Sequence, residues 1–130
     1  MSVQKAQCLC QSVSCEYTSP SLWSAHCHCR LCQRSHGAAF VTWVGVDSGK
    51  VTIEGGDRLC WYASSEDSER GFCQRCGSTL FFRSDRWPGE LHIARANFIT
   101  ELDIKPKLHA YWETHVGWLD IKDSLPKKHS

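Results

Sequence analysis

At 130 residues the chain has room for one domain and not for two. With 42% hydrophobic and 22% charged residues it is neither disordered nor built around a membrane-spanning segment. A formal net charge of +1 excludes the strongly basic footprint of a nucleic-acid binder.

The segment Met1 to Cys8 carries no long apolar stretch, so it reads as no secretory signal, and the expected compartment is the reducing cytoplasm. Val13, Cys15 and Tyr17 alternate with polar residues at period two, which predicts a strand in a short pair ended by Ser19-Pro20-Ser21. Leu22 to Ala25 leads into a cysteine-rich run whose later part predicts one or two helical turns stopped by Gly37. Ala39 to Val46 is β-branched and aromatic, hence a strand, followed by a turn at Asp47-Ser48-Gly49-Lys50 and a return at Val51-Thr52-Ile53. Leu59 to Tyr62, Thr79 to Phe82 and Leu91 to Ala94 predict further strands, and the polar run Ser64 to Arg70 predicts a surface loop. Residues 124–130 read as a loose tail. The fold class expected is therefore mainly β, with about one short helix.

Nine cysteines are the most informative feature. An odd count in a reducing compartment argues against a disulfide framework. Cys15 and Cys60 each sit in apolar surroundings and read as small core residues. The other seven form Cys8-x-Cys10, Cys27-x-Cys29-x-x-Cys32 and Cys73-x-x-Cys76. Close spacing lets one backbone turn aim two sulfurs at a common point, as a tetrahedral zinc site requires. Cys73-Gln74-Arg75-Cys76-Gly77 has the form of a metal knuckle, its glycine permitting φ > 0. Cys8, Cys10, Cys73 and Cys76 then make a closed structural zinc site. Cys27, Cys29 and Cys32 remain as three thiolates without a fourth cysteine, the pattern of a catalytic zinc with an open position. His26 or His28 completing a second closed site, a redox Cys29–Cys32 pair, and iron in place of zinc are the alternatives. Arg30, Arg34, Arg70 and Arg75 lie in or beside the ligand segments, placed to offset thiolate charge or bind an anionic substrate.

Other chemistries fail on their motifs. His109 to His115 lacks the glutamate of a zincin helix, no deaminase H-x-E is present, and there is no nucleophile elbow or phosphate-cradling glycine loop.

With its cysteines so grouped, the chain resembles the glutathione-dependent formaldehyde-activating family, which also includes centromere protein V. The resemblance rests on Cys8-Leu9-Cys10, on Cys27 through Phe40, on Tyr62-Ala63-Ser64-Ser65 with Arg70 through Ser78, and on Pro106-Lys107-Leu108-His109 with Trp112. It implies a zinc-pinned β-sheet fold of the β-tent type and one domain over residues 1–130, with its core at about 4–115. It also implies two zinc ions per chain: structural zinc on Cys8, Cys10, Cys73 and Cys76, catalytic zinc on Cys27, Cys29 and Cys32. The implied activity is that of a carbon–sulfur lyase, adding a thiol such as glutathione to formaldehyde or a related aldehyde to give S-hydroxymethylglutathione. Arg34 and Arg70 are the first candidates for the carboxylates of the thiol, and His28 or His36 for proton transfer. A non-catalytic, chaperone-like zinc module of the same fold is the second reading. No membrane or nucleic-acid partner is expected, and self-association stays open. The family glycine after the first C-x-C is Gln11 here.

Overall fold

The computed structural model describes all residues, Met1–Ser130. Period-two burial organises the first sheet. β1 (Val3–Gln7) pairs antiparallel with β2 (Ser14–Thr18), and β2 with β5 (Thr52–Glu54). Cys15 and Tyr17 turn inward from β2, where Ala6 and Val13 are fully buried beside them.

The second sheet has seven strands. They are β3 (Trp23–Cys27), β4 (Val41–Asp47), β6 (Leu59–Ser65), β7 (Ser68–Cys73), β8 (Thr79–Ser84), β9 (Glu90–Ala94) and β10 (His109–Ala110), in the order β10-β3-β4-β9-β8-β7-β6. Every pairing is antiparallel except β10 with β3, which is parallel. The single α-helix, α1 (Arg30–His36), begins on Cys29 as N-cap and ends on Gly37 in the left-handed region at φ 62°. The architecture is mainly β with one short helix, as the sequence predicts.

Two apolar cores hold the sheets, and each contains one group of cysteines. The larger packs Val44, Leu80, Phe81 and Ile93 with Cys8 and Cys73. The smaller packs Val41, Trp43 and Ala94 with Cys27 and Cys32. Each fully buried large side chain here contributes about 1.5–3 kcal/mol. Gly45 lies opposite Trp23 in the β3–β4 pair, and a Cβ there would fall inside the indole. Glycine thus lets the Trp23 ring lie flat against the sheet.

Two expectations are corrected. The run Ser64 to Arg70 is no surface loop: it is the tip of the β6–β7 hairpin, with Glu66 and Asp67 as its turn. Of its polar residues, Ser68 and Arg70 are buried because partners from elsewhere satisfy them, Ser68 through the Ser84 hydroxyl at 3.0 Å and Arg70 through groups near α1. Nor is the C-terminal segment loose. His109 N–H donates to Pro126 C=O, Lys128 N–H to His109 C=O and Trp112 N–H to Lys128 C=O, which ties residues 126–128 along β10. The Lys127 ammonium also sits over the Trp112 ring at 5.1 Å.

Candidate metal centres and cavity

Cys8 and Cys10 leave the end of β1, and Cys73 and Cys76 flank the turn after β7. Their four sulfurs lie within 4.8 Å of one another. A tetrahedron with metal–sulfur bonds of about 2.3 Å has edges of about 3.8 Å. The Cys8–Cys10 and Cys10–Cys73 separations are 3.7 and 3.8 Å, so the donors are already at the spacing such an ion needs. The knuckle forms as expected, with Gly77 at φ 78° and its N–H bonded to Cys73 C=O. Gln11 adopts φ 68°, the left-handed conformation that glycine takes without cost. Val13 N–H donates to Cys8 Sγ at 3.3 Å, and the Ser12 and Ser78 hydroxyls lie 3.2 Å from Cys10 and Cys76. Burial pushes the Cys8 thiol up to about 11, whereas the Ser78 hydroxyl draws Cys76 down to about 5.

The second group is built by β3 and α1. Cys27 ends β3, Cys29 caps α1, and Cys32 lies one turn further on the buried face, so the sulfurs again fall within 4.8 Å. No fourth cysteine, histidine or carboxylate joins them. The Cys27 and Cys32 sulfurs are 3.4 Å apart, and Cys32 N–H donates to Cys29 Sγ at 3.3 Å. Hydrogen bonds from Cys27 and Cys32, helped by that amide and by Arg70, pull the Cys29 thiol down to about 2, while the bond to Cys29 pushes Cys27 up. Both three-sulfur and four-sulfur donor sets suit a soft, tetrahedral ion such as zinc.

Arg70 reaches this cluster from β7. Its Nη atoms lie 3.7 and 3.8 Å from Cys32 Sγ, its Nη1 donates to Ser35 Oγ at 3.2 Å, and its guanidinium covers Phe82 at 4.9 Å. Trp43 Nε1–H donates to Cys32 Sγ at 3.4 Å. The sulfurs form part of the wall of a cavity of about 260 Å³, whose other sides are largely aromatic: Trp23, Trp43, Phe82, Trp87 and Tyr111.

Arg34 is exposed and does not line the cavity. His28 is fully buried and also stands outside it. Its Nε2 lies 2.8 Å from His109 Nδ1, and His109 Nε2 lies 2.9 Å from the Asp123 carboxylate. Because Asp123 can only accept, His109 carries its proton on Nε2 and receives one from His28, which leaves His28 Nδ1 buried without a partner. Burial holds His28 down at about 4, hence neutral. Trp43, the aromatic walls and the Asp123–His109–His28 chain carry no site signal in the sequence. Strand periodicity marks Trp43 only as core, and Asp123 is joined to His109 by the fold alone.

His36 sits outside the cavity, its Nδ1 2.9 Å from Thr79 Oγ1, and burial, then Arg70, hold it down at about 4. An unfolded histidine titrates near 6.5. Between roughly pH 6.5 and 4 the unfolded chain therefore binds a proton that the folded chain does not, and stability falls as pH drops through that window. Denaturation midpoints at pH 7.5, 5.5 and 4.5 should decline more steeply in the native chain than in a His36→Gln variant; equal slopes would show that His36 does not contribute.

The structure is a mainly β domain with two cysteine clusters that could each hold a metal ion, one of four sulfurs and one of three at the wall of a cavity. The family model described as "Glutathione-dependent formaldehyde-activating enzyme" matches residues 3–114, and the chain belongs to that family. A Halomonas elongata protein whose name places it among the glutathione-dependent formaldehyde-activating enzymes is 25% identical over 126 residues, covering 91% of this chain and 80% of that protein. A Schizosaccharomyces pombe protein named as an uncharacterized lyase is 28% identical over 78 residues, 60% of this chain and 56% of that protein. The crystal structure of a Rhodobacter sphaeroides protein superposes with a TM-score of 0.61 at 19% identity, covering 76% of this chain and 91% of that one, which shows a shared fold. No helix is long and apolar enough to cross a membrane.

Proposed function

We propose that this chain catalyses the reversible addition of a thiol to formaldehyde or a related small aldehyde. The observation that carries this reading is the three-sulfur cluster, lacking a fourth protein ligand, at the wall of an aromatic cavity. The family's name and the lyase name of the yeast relative support it. Cys8, Cys10, Cys73 and Cys76 would hold a structural zinc, and Cys27, Cys29 and Cys32 a second ion. When bound there, zinc supplies a Lewis-acid centre with soft affinity for sulfur.

The chain's own residues shape what happens around that centre. Arg70 brings one positive charge to a group whose thiolates outweigh a dication by one. Trp43 and Arg70 fix the Cys32 side chain from two sides. The aromatic walls leave few polar groups beside the sulfurs. A C–S bond forms between the thiol sulfur and the aldehyde carbon, and the thiol proton ends on the new hydroxyl oxygen. Neither His28 nor His36 lines the cavity, so we assign proton exchange to water at its mouth.

The test is exchange spectroscopy by NMR on zinc-loaded protein with glutathione and ¹³C-formaldehyde. Exchange between free aldehyde and thiol adduct should run well above the protein-free rate. Binding of thiol with no acceleration, for any thiol tried, would leave a non-catalytic zinc module.

A further inference from the structure

We infer that Asp123, acting through His109 and His28, is a positioning residue for the three-cysteine cluster. The inference rests on the ion assigned above to Cys27, Cys29 and Cys32, and names what holds those ligands in place. His28 is the single residue between two of them, so the way it is held decides how the Cys27 and Cys29 side chains leave the backbone. Its N–H donates to Ala110 C=O at 2.9 Å. Its C=O accepts from Thr114 Oγ1 at 2.9 Å and from Gln33 Nε2 at 2.7 Å, and Gln33 Nε2 also donates to Thr114 C=O. Its ring is fully buried against Phe40 and Trp112, with centroids at 5.0 and 4.8 Å, and its Nε2 meets His109 Nδ1 at 2.8 Å. Residues 109–114 thus grip the ligand turn by backbone and side chain together.

Asp123 governs the side-chain half of that grip. Two neutral imidazoles sharing one hydrogen bond can point it either way. The Asp123 carboxylate, which only accepts, settles the direction, with its oxygens 2.9 and 3.0 Å from His109 Nε2. Without it His109 Nε2–H loses that acceptor. The reverse arrangement then competes, in which His109 Nδ1 donates and the His28 proton moves to Nδ1, buried without an acceptor. Two arrangements in place of one loosen the residue between the ligands. Groups that orient metal ligands from behind change metal affinity about 10–100-fold when removed.

The C-terminal segment keeps its place without Asp123. The backbone bonds of His109, Trp112 and Lys128 already tie residues 126–128 along β10. Asp123 itself is exposed, so its replacement leaves both apolar cores intact. It also lies beyond residues 3–114, the span matched by the family model.

The test mixes zinc-loaded full-length protein with excess 4-(2-pyridylazo)resorcinol and follows metal release by the colour of the chelate. Wild type should release two ions in two phases, and the phase absent from Cys32→Ala reports the three-cysteine cluster. Asp123→Ala should speed that phase about tenfold, with the other phase and the cooperative melt as in wild type. Asp123→Asn, whose amide oxygen still accepts from His109 Nε2, should stay within about twofold of wild type. Asp120→Ala removes an exposed carboxylate of the same segment, paired with Lys122, and should change neither phase. Acceleration of both phases by Asp123→Ala would show a general loosening of the fold. An unmoved three-cysteine phase, or no recovery in Asp123→Asn, would show that this carboxylate orients nothing. Each of these results overturns the inference alone, because metal retention is read and thiol–aldehyde exchange is not. One ion per wild-type chain would overturn the ion assignment and the inference together.

Discussion

Replacing Cys76 with alanine is expected to leave the purified chain without a cooperative thermal transition. The four-cysteine cluster joins a loop near the N-terminus to the knuckle that follows β7, two segments far apart in sequence. Cys8 and Cys73 are buried within the larger core, so the ion proposed there would be part of that core and no surface ornament. A structural zinc contributes about 10–16 kcal/mol of binding free energy to folding. The whole stability of a domain is about 5–15 kcal/mol. Losing one of four ligands leaves an underfilled site and, in Cys8, a thiol whose burial disfavours its charged form. Circular dichroism melts of the variant, alongside wild type stripped by a chelator, provide the measurement. Cys60→Ala is the control, because Cys60 is half-buried and belongs to neither cluster. A Cys76→Ala melt within a few degrees of wild type would remove the structural role assigned to this cluster.

The division of seven sulfurs into four and three was legible in the sequence, because short spacing forces neighbouring thiols onto one turn and leaves few ways to combine the pairs. The helix was legible for a similar local reason: Gly37 has the freedom that its stop requires. What failed depended on distant partners. Ser68 and Arg70 look like solvated loop residues until Ser84, Ser35 and Cys32 arrive to satisfy them. Arg34 is a carboxylate candidate in the sequence because it lies beside the ligand segment. A helix, however, turns about 100° per residue, so burying Cys32 and Gln33 sends Arg30 and Arg34 to solvent together. The C-terminal segment carries no periodicity, and its anchoring to the two-residue β10 is set by backbone bonds that no composition reveals. The cavity's aromatic character likewise comes from separate segments meeting, Trp23, Trp43 and Phe82 on strands and Trp87 and Tyr111 outside them, which no local pattern joins.

Cys32→Ala is expected to abolish turnover while the fold survives. Under the proposed assignment it removes one of three ligands from the ion that polarises the reacting groups. Such polarisation is worth several kcal/mol, which corresponds to a loss on the order of a thousandfold in rate. The structural cost is smaller, because Cys32 belongs to the smaller core, and the larger core with its four-cysteine cluster is untouched. Arg70 would lose its sulfur partner and keep Ser35, which costs about 1–3 kcal/mol. Metal analysis should fall from two ions per chain to one, the thermal transition should remain cooperative at a reduced midpoint, and thiol–aldehyde exchange should drop to near the protein-free rate. Serine at the same position separates volume from chemistry: Cys32→Ser preserves the packing and a hydrogen-bond acceptor for Trp43 and Arg70, so it should recover stability and not activity. Full exchange activity in either variant would place the chemistry away from these three sulfurs, because nothing else lining the cavity offers a comparable set of soft donors.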